Sequence, residues 1–261
     1  MQELSKEDFH KFLLSFHNNP RYFNTLEEIS RSDKGNPLTN VPCSMYNLDH
    51  MKDDVKSLND LKPKSMDAIF YKEEENILYL FEFKGADISQ NSTMKLDILV
   101  KELVMKNNAN VSKKSTKCIS TPIIKNLMKF REDFIDPIES SLKLKPIESL
   151  TMTIPSIYNE YCQEKGCTPK DIRSFLNNCQ KNIFVLVKED VREDEDLDEI
   201  LDEKKKGKFN RSFYERLTKS KNINDYYYKL KRDGIIDDYQ IGLEHKFRNY
   251  LKSEDLLNNT N

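Results

Sequence analysis

Residues 77–84, Ile-Leu-Tyr-Leu-Phe-Glu-Phe-Lys, read as the most buried strand of the chain, yet the run carries two charges, Glu82 and Lys84. A second apolar run, 66–72, precedes it, and the polar Lys72-Glu73-Glu74-Glu75-Asn76 joins the two, so the pair predicts a β-hairpin. Alternate residues of a strand share a face. Glu82 and Lys84 therefore point one way, while Phe81 and Phe83 point the other way into packing. Burying a carboxylate and an ammonium is costly unless they pair or bind something. The plain alternative is an edge strand whose charged face meets water. Asp67 weighs against that alternative, because a short hairpin brings its carboxylate beside that of Glu82 across the strand pair.

Around this hairpin the chain divides into recognisable elements. Ser5 can cap a helix running to about Phe16, with Phe9, Phe12, Leu13 and Phe16 on one face. Thr25-Leu26-Glu27-Glu28 fits a capping box opening a second short helix. Residues 33–65 lack periodicity and read as loop with one helical turn. Helical period returns over 94–106, and helices are expected at 121–135 and 147–164, where Pro137, Pro146 and Pro155 must break or bend the chain. Asn182–Val187 is a short continuous apolar run that suits a buried strand. Helix is expected again to about residue 231, and the tail 258–261 is expected to fray. With 33% charged residues, 6 glycines and no tryptophan, the composition favours helices over a β-sandwich. The expected fold is α/β (mixed α+β): a small central mixed sheet flanked by helices, in one domain spanning 1–261 with a helical insertion at 108–181.

Two neighbouring carboxylates repel each other, and a hard divalent cation such as Mg²⁺ is the usual reason to hold them together. A lysine beside the metal can orient an attacking water and stabilise charge growing on a phosphate. These are the parts needed to hydrolyse a phosphodiester. Asp67 with Glu82-Phe83-Lys84, followed by Gly85, resembles the PD-(D/E)XK nuclease superfamily, whose pattern is an Asp near the start of the second core strand and carboxylate-x-Lys in the third. Pro63 stands four residues before Asp67 rather than beside it. The resemblance implies a restriction endonuclease-like core with the order helix, meander, helix, strand. It further implies that Asp67 and Glu82 bind Mg²⁺ (Mn²⁺ substituting) with the Phe83 carbonyl, and that Lys84 serves the nucleophilic water. Many members add an acid from the first core helix, for which Glu27 is the candidate, although Glu28 is explained by the capping box. Asp87 lies just past Lys84, either near the metal or capping the following loop. Some members carry an iron–sulfur cluster. Cys43, Cys162, Cys167 and Cys179 imitate that layout, but their spacing departs from the tight arrangement, so buried free thiols are the expected state. His10, His17, His50 and His245 show no metal-ligand spacing.

The near-zero net charge of −2 hides a strong polarity along the chain. Residues 188–203 hold ten acids and two bases, whereas 204–232 hold eleven bases and two acids. Lys204, Lys205, Lys206, Lys208 and Arg211 in this basic stretch, interleaved with Phe209, Phe213, Tyr214 and Tyr226–Tyr228, suit phosphate contacts and base stacking. The alternative is a solvated helical pair whose aromatics are core. The sequence thus leads to a Mg²⁺-dependent nuclease acting on nucleic acid, DNA first. Its rival is a catalytically inactive nuclease-fold protein that binds nucleic acid or assembles with partners. No zinc-finger or helix-turn-helix signature assigns a base sequence. A homodimer is compatible with this reading. No apolar run is long enough to span a membrane and the N-terminus lacks a signal-type stretch, so a cytoplasmic location is expected.

Overall fold

Strand β4 (Ile77–Lys84) lies inside a six-stranded mixed sheet whose strands stand side by side in chain order. The others are β1 (Phe23–Thr25), β2 (Ser44–Asn47), β3 (Ala68–Lys72), β5 (Gln180–Val187) and β6 (Asp238–Gly242). From β1 to β4 neighbours run antiparallel, and β4, β5 and β6 run parallel. These features come from a computed structural model that describes residues 2–31, 37–59, 61–84, 141–187 and 221–257. The sheet and its helices belong to a compact unit formed by residues 1–85 and 142–261. The protein is a mixed α/β structure with helices on both faces of the sheet.

β4 and β5 pair along their full length, from Ile77 opposite Gln180 to Lys84 opposite Val187. Both are buried on both faces, which explains why each reads as an almost unbroken apolar run. On one face Phe81, Phe83 and Phe184 pack beneath α8 (Glu244–Ser253), with the Phe247 ring 5.8, 6.1 and 5.0 Å from theirs. Such aromatic clusters bury large areas and gain further from tilted ring contacts. Gly242 makes the approach possible, because a Cβ there would stand 2.9 Å from Phe184 Cζ.

The opposite face is covered by α1 (Lys6–Leu14), by the helices after the hairpin, and by α7 (Lys221–Arg232). The Ser5 hydroxyl accepts the Asp8 N–H at 3.2 Å and donates to the Asp8 carboxylate at 2.9 Å, closing the N-terminus of α1. Phe9 then packs between Tyr71 of β3 and Phe175 of α6 (Ile172–Asn178), at centroid distances of 5.0 and 4.5 Å. Thr25 Oγ1 caps α2 (Leu26–Ile29) by accepting the Glu28 N–H.

Several elements differ from the sequence expectation. The segment read as loop, 33–65, contains β2, the helix α3 (Leu48–Asp53) and a 3₁₀ turn, Lys56–Leu58. Four strand residues are too few to display a period, and β2 owes its existence to pairing with β1 and β3 on either side. Prolines 146 and 155 do not interrupt their helix. Helical residues 141–148 (α4) pass through a π-turn, Ser149–Thr153, directly into α5 (Ile154–Lys165). Ile154 N–H donates to Ser149 O, five residues back, and this widened turn lies just before Pro155, which has no N–H to give. Of the expected insertion, residues 141–165 and 172–178 are helical and 108–140 lie outside the described residues. Also outside them are the helices expected at 94–106 and 121–135, the acidic segment 188–203, residues 204–220 and the tail. Among the described residues no helix is long and apolar enough to cross a membrane.

Candidate active site on the β3–β4 hairpin

The register that sets Ala68 opposite Phe81 puts Asp67 opposite Glu82. Asp67 N–H donates to the Phe81 carbonyl at 2.9 Å, so the pairing continues one residue beyond β3. β4 is not an edge strand and Glu82 is fully buried, which disposes of the water-facing alternative. The Asp67 carboxylate folds back over β4, where its Oδ2 accepts the Phe83 N–H at 2.6 Å.

A lysine distant in sequence completes the site. Lys145 of α4 donates from Nζ to Asp67 Oδ1 at 2.8 Å and to Glu82 Oε1 at 2.8 Å. The same ammonium lies 2.8 Å from Glu82 Oε2, off the hydrogen-bonding direction, leaving that buried oxygen without a hydrogen-bond donor. Lys84 approaches from the solvent side, its Nζ 2.6 Å from Glu82 Oε1. Two acids and two bases thus share one partly enclosed space. Burial, then the charge of Glu82, pushes the Asp67 carboxyl up to about 7 despite both lysines. Burial opposes the charge on Lys145, but Glu82 and Asp67 outweigh it and raise the affinity of its ammonium for the proton.

Helix α4 is fixed to the lead-in of β3 at several points. Met66 N–H donates to Ser149 Oγ at 2.8 Å, and Lys64 N–H donates to the Glu148 carboxylate. From the other side, Tyr227 of α7 donates its hydroxyl to the Leu142 carbonyl at 3.0 Å. The π-turn begins four residues after Lys145, a distortion often found beside functional sites. A second ion pair stands next to the cluster, where Lys52 donates to Asp49 at 2.8 Å and to Ser65 at 2.9 Å. Burial opposes ionisation of Asp49, but the hydrogen bonds its carboxylate accepts from Lys52 and from the Ser65 hydroxyl outweigh it and hold the carboxyl below its usual range.

The structure therefore brings Asp67, Glu82 and Lys84 together, with Phe83 contributing its amide to Asp67. Glu27 is not part of the cluster. It sits on α2, beside edge strand β1, and pairs with Arg31 at 3.2 Å. Three strand spacings separate β1 from β4, about 14 Å at the usual interval. Gly85, Asp87, Lys204, Lys205, Lys206, Lys208 and Arg211 lie outside the described residues. In the described part of the basic stretch, Tyr227 is core, Lys231 pairs with Asp238 at 2.7 Å, and Arg232 with Asp233 at 2.9 Å.

Cys167 lies just past α5, where its N–H donates to the Cys162 carbonyl at 2.9 Å, and the three buried cysteines occupy separate elements: Cys43 under Leu256, Cys162 in α5, Cys179 at the end of α6. Burial pushes these three thiols up to about 11. Among the described residues no three His, Cys, Asp or Glu side chains form a group that could hold a metal ion. Sequence reasoning missed Lys145, one of 42 lysines and arginines with no motif around it. The one available signal was the charge balance of the hairpin, where two buried acids face a single lysine. No protein-family model, curated protein or solved structure matches the chain.

Proposed function

We propose that the protein is a metal-dependent nuclease of PD-(D/E)XK type, hydrolysing phosphodiester bonds of nucleic acid, with DNA the first candidate. One observation carries the reading: Asp67 and Glu82, from adjacent strands, converge on a single cation, the Lys145 ammonium, at 2.8 Å. Carboxylates that gather around one positive charge are suited to another, and hard oxygen donors are what Mg²⁺ or Mn²⁺ takes. The residues fit such an ion, held by Asp67 and Glu82 with the Phe83 carbonyl and water. When bound, a divalent ion would polarise the phosphodiester and lower the pKa of a coordinated water.

The chain's own groups would do the rest. Lys84, at the open end of β4, is held by Glu82 where it can orient the attacking water and face the charge that builds on the phosphate. Phe83 N–H fixes the Asp67 carboxylate, so the acid is positioned before any ligand arrives. The antiparallel β2–β3–β4 meander followed by parallel β5 agrees with the restriction endonuclease-like core.

Lys145 also favours a second reading, a nuclease-fold protein that binds or assembles without turnover, since its ammonium already neutralises the acids. Plasmid, single-stranded DNA and RNA incubated with Mg²⁺ or Mn²⁺ separate the two. Cleavage by the wild type that is lost in Asp67→Asn, Glu82→Gln and Lys84→Ala supports the nuclease. A wild type that binds nucleic acid and leaves all three substrates intact supports the binding protein.

A further inference from the structure

The Lys145 ammonium stands between the two carboxylates, within 2.8 Å of Asp67 Oδ1 and of both Glu82 oxygens. A divalent ion bound by the same oxygens would need that space. Building on the metal-dependent reading, we propose that Lys145 is the resident cation of the site: ammonium and metal are alternative occupants, and the metal loads only as Lys145 withdraws.

Charge supports the exchange. Asp67 and Glu82, when ionised, are balanced by Lys84 and Lys145, so a divalent ion added to the intact cluster would leave it doubly positive in a largely dry space. With Lys145 withdrawn and a divalent ion in its place, one positive charge remains. A single phosphodiester cancels it. Loading is therefore favoured when an anionic nucleic-acid backbone is present, and the free protein resists it. The lysine is also placed to move as a unit: it sits on a long, unbranched side chain, and α4 has further contacts through Leu142 and Glu148, and through Ser149 of the π-turn that follows it. The ammonium can leave without unlatching its helix. The buried Glu82 Oε2, which has no hydrogen-bond donor, is then open to a new partner.

Calorimetry with Mn²⁺ alone tests the exchange on wild type, Lys145→Gln and Lys84→Gln. Lys145→Gln should bind Mn²⁺ at least tenfold more tightly than wild type, with the gain abolished by adding Asp67→Asn. Lys84→Gln removes the same charge without emptying the metal position and should gain less. Equal affinities in wild type and Lys145→Gln, both lost with Asp67→Asn, would overturn the exchange and leave the metal site standing. No binding in any variant would remove the metal reading and the exchange together. A second measurement needs no variant. Amine acetylation of the folded wild type, mapped by mass spectrometry, should label Lys145 faster once Mn²⁺ is bound, and unchanged labelling under saturating Mn²⁺ would overturn the proposal.

Discussion

Tyr227 and Leu142 are joined by a hydrogen bond of 3.0 Å from the phenol to the helix carbonyl, one turn before Lys145. The Tyr227 ring is fully buried and stacks on Tyr239 of β6 at 5.2 Å, so the bond ties α4 to the far edge of the sheet. Tyr227→Phe keeps the ring and removes the donor. It should cost about 1 kcal/mol, the usual net worth of one such bond, read as a lower urea midpoint at unchanged slope. Tyr227→Ala should cost about 3–5 kcal/mol through the cavity it leaves.

The acid–lysine cluster predicts strong coupling. Lys145→Met leaves two buried carboxylates facing each other and should destabilise by about 3–5 kcal/mol. Glu82→Gln made in the same background should restore part of that loss. Simple additivity in a double-mutant cycle, read by chemical denaturation without metal, would show that the two groups do not share a charge balance.

Asp67 gives a pH dependence of definite sign. Its folded carboxyl binds a proton more tightly than the unfolded one, with values of about 7 and an ordinary 3.8. Between those values the folded state holds the extra proton, so this group's contribution to stability falls as pH rises from about 4 to about 7. In chelator, the drop in urea midpoint from pH 5 to pH 7.5 should be smaller in Asp67→Asn than in wild type. Identical drops would contradict the assignment.

Gly242 is constrained by space. A methyl group there would stand 2.9 Å from Phe184 Cζ and 3.0 Å from Lys246 Cβ. Gly242→Ala must shift α8 or the Phe184 ring, which should cost about 1–3 kcal/mol and lower Tm by several degrees.

The basic stretch is tested by salt. If Lys204, Lys205, Lys206 and Lys208 contact a nucleic-acid backbone, replacing all four by Gln should flatten the salt dependence of affinity by roughly 0.7–0.9 per lost contact. Metal affinity on the hairpin should be unchanged. An unaltered slope would place the nucleic-acid path elsewhere, with Lys95, Lys101, Lys113, Lys114 and Lys117 next to be tested.

The sequence showed the hairpin and its buried charges because local rules govern both: period-two alternation, a polar turn, and the cost of burying Glu82. The same holds for α1, whose cap and apolar face lie within a few residues of one another. β1 and β2 were not legible, since strands of three or four residues exist by virtue of their neighbours, and β6, half-exposed along most of its length, lacks the apolar run that marks β3. Glu27 pairs with Arg31 on α2, beside edge strand β1, and motif order says nothing about which edge of a sheet a helix will occupy. Lys145 was invisible for the same reason: it meets Glu82 across 63 residues of chain, and no spacing rule reaches that far.

That separation also sets an order of assembly. A hairpin closes in about 1–10 μs, whereas a contact spanning a long crossover must wait for non-local loop closure. Asp67 and Glu82 are thus brought face to face before Lys145, the second of their two counter-ions, arrives. Early on, the nascent sheet carries the repulsion of its two acids with only Lys84 to offset it, and acid, which discharges the carboxyls, is the condition under which this first step is least opposed.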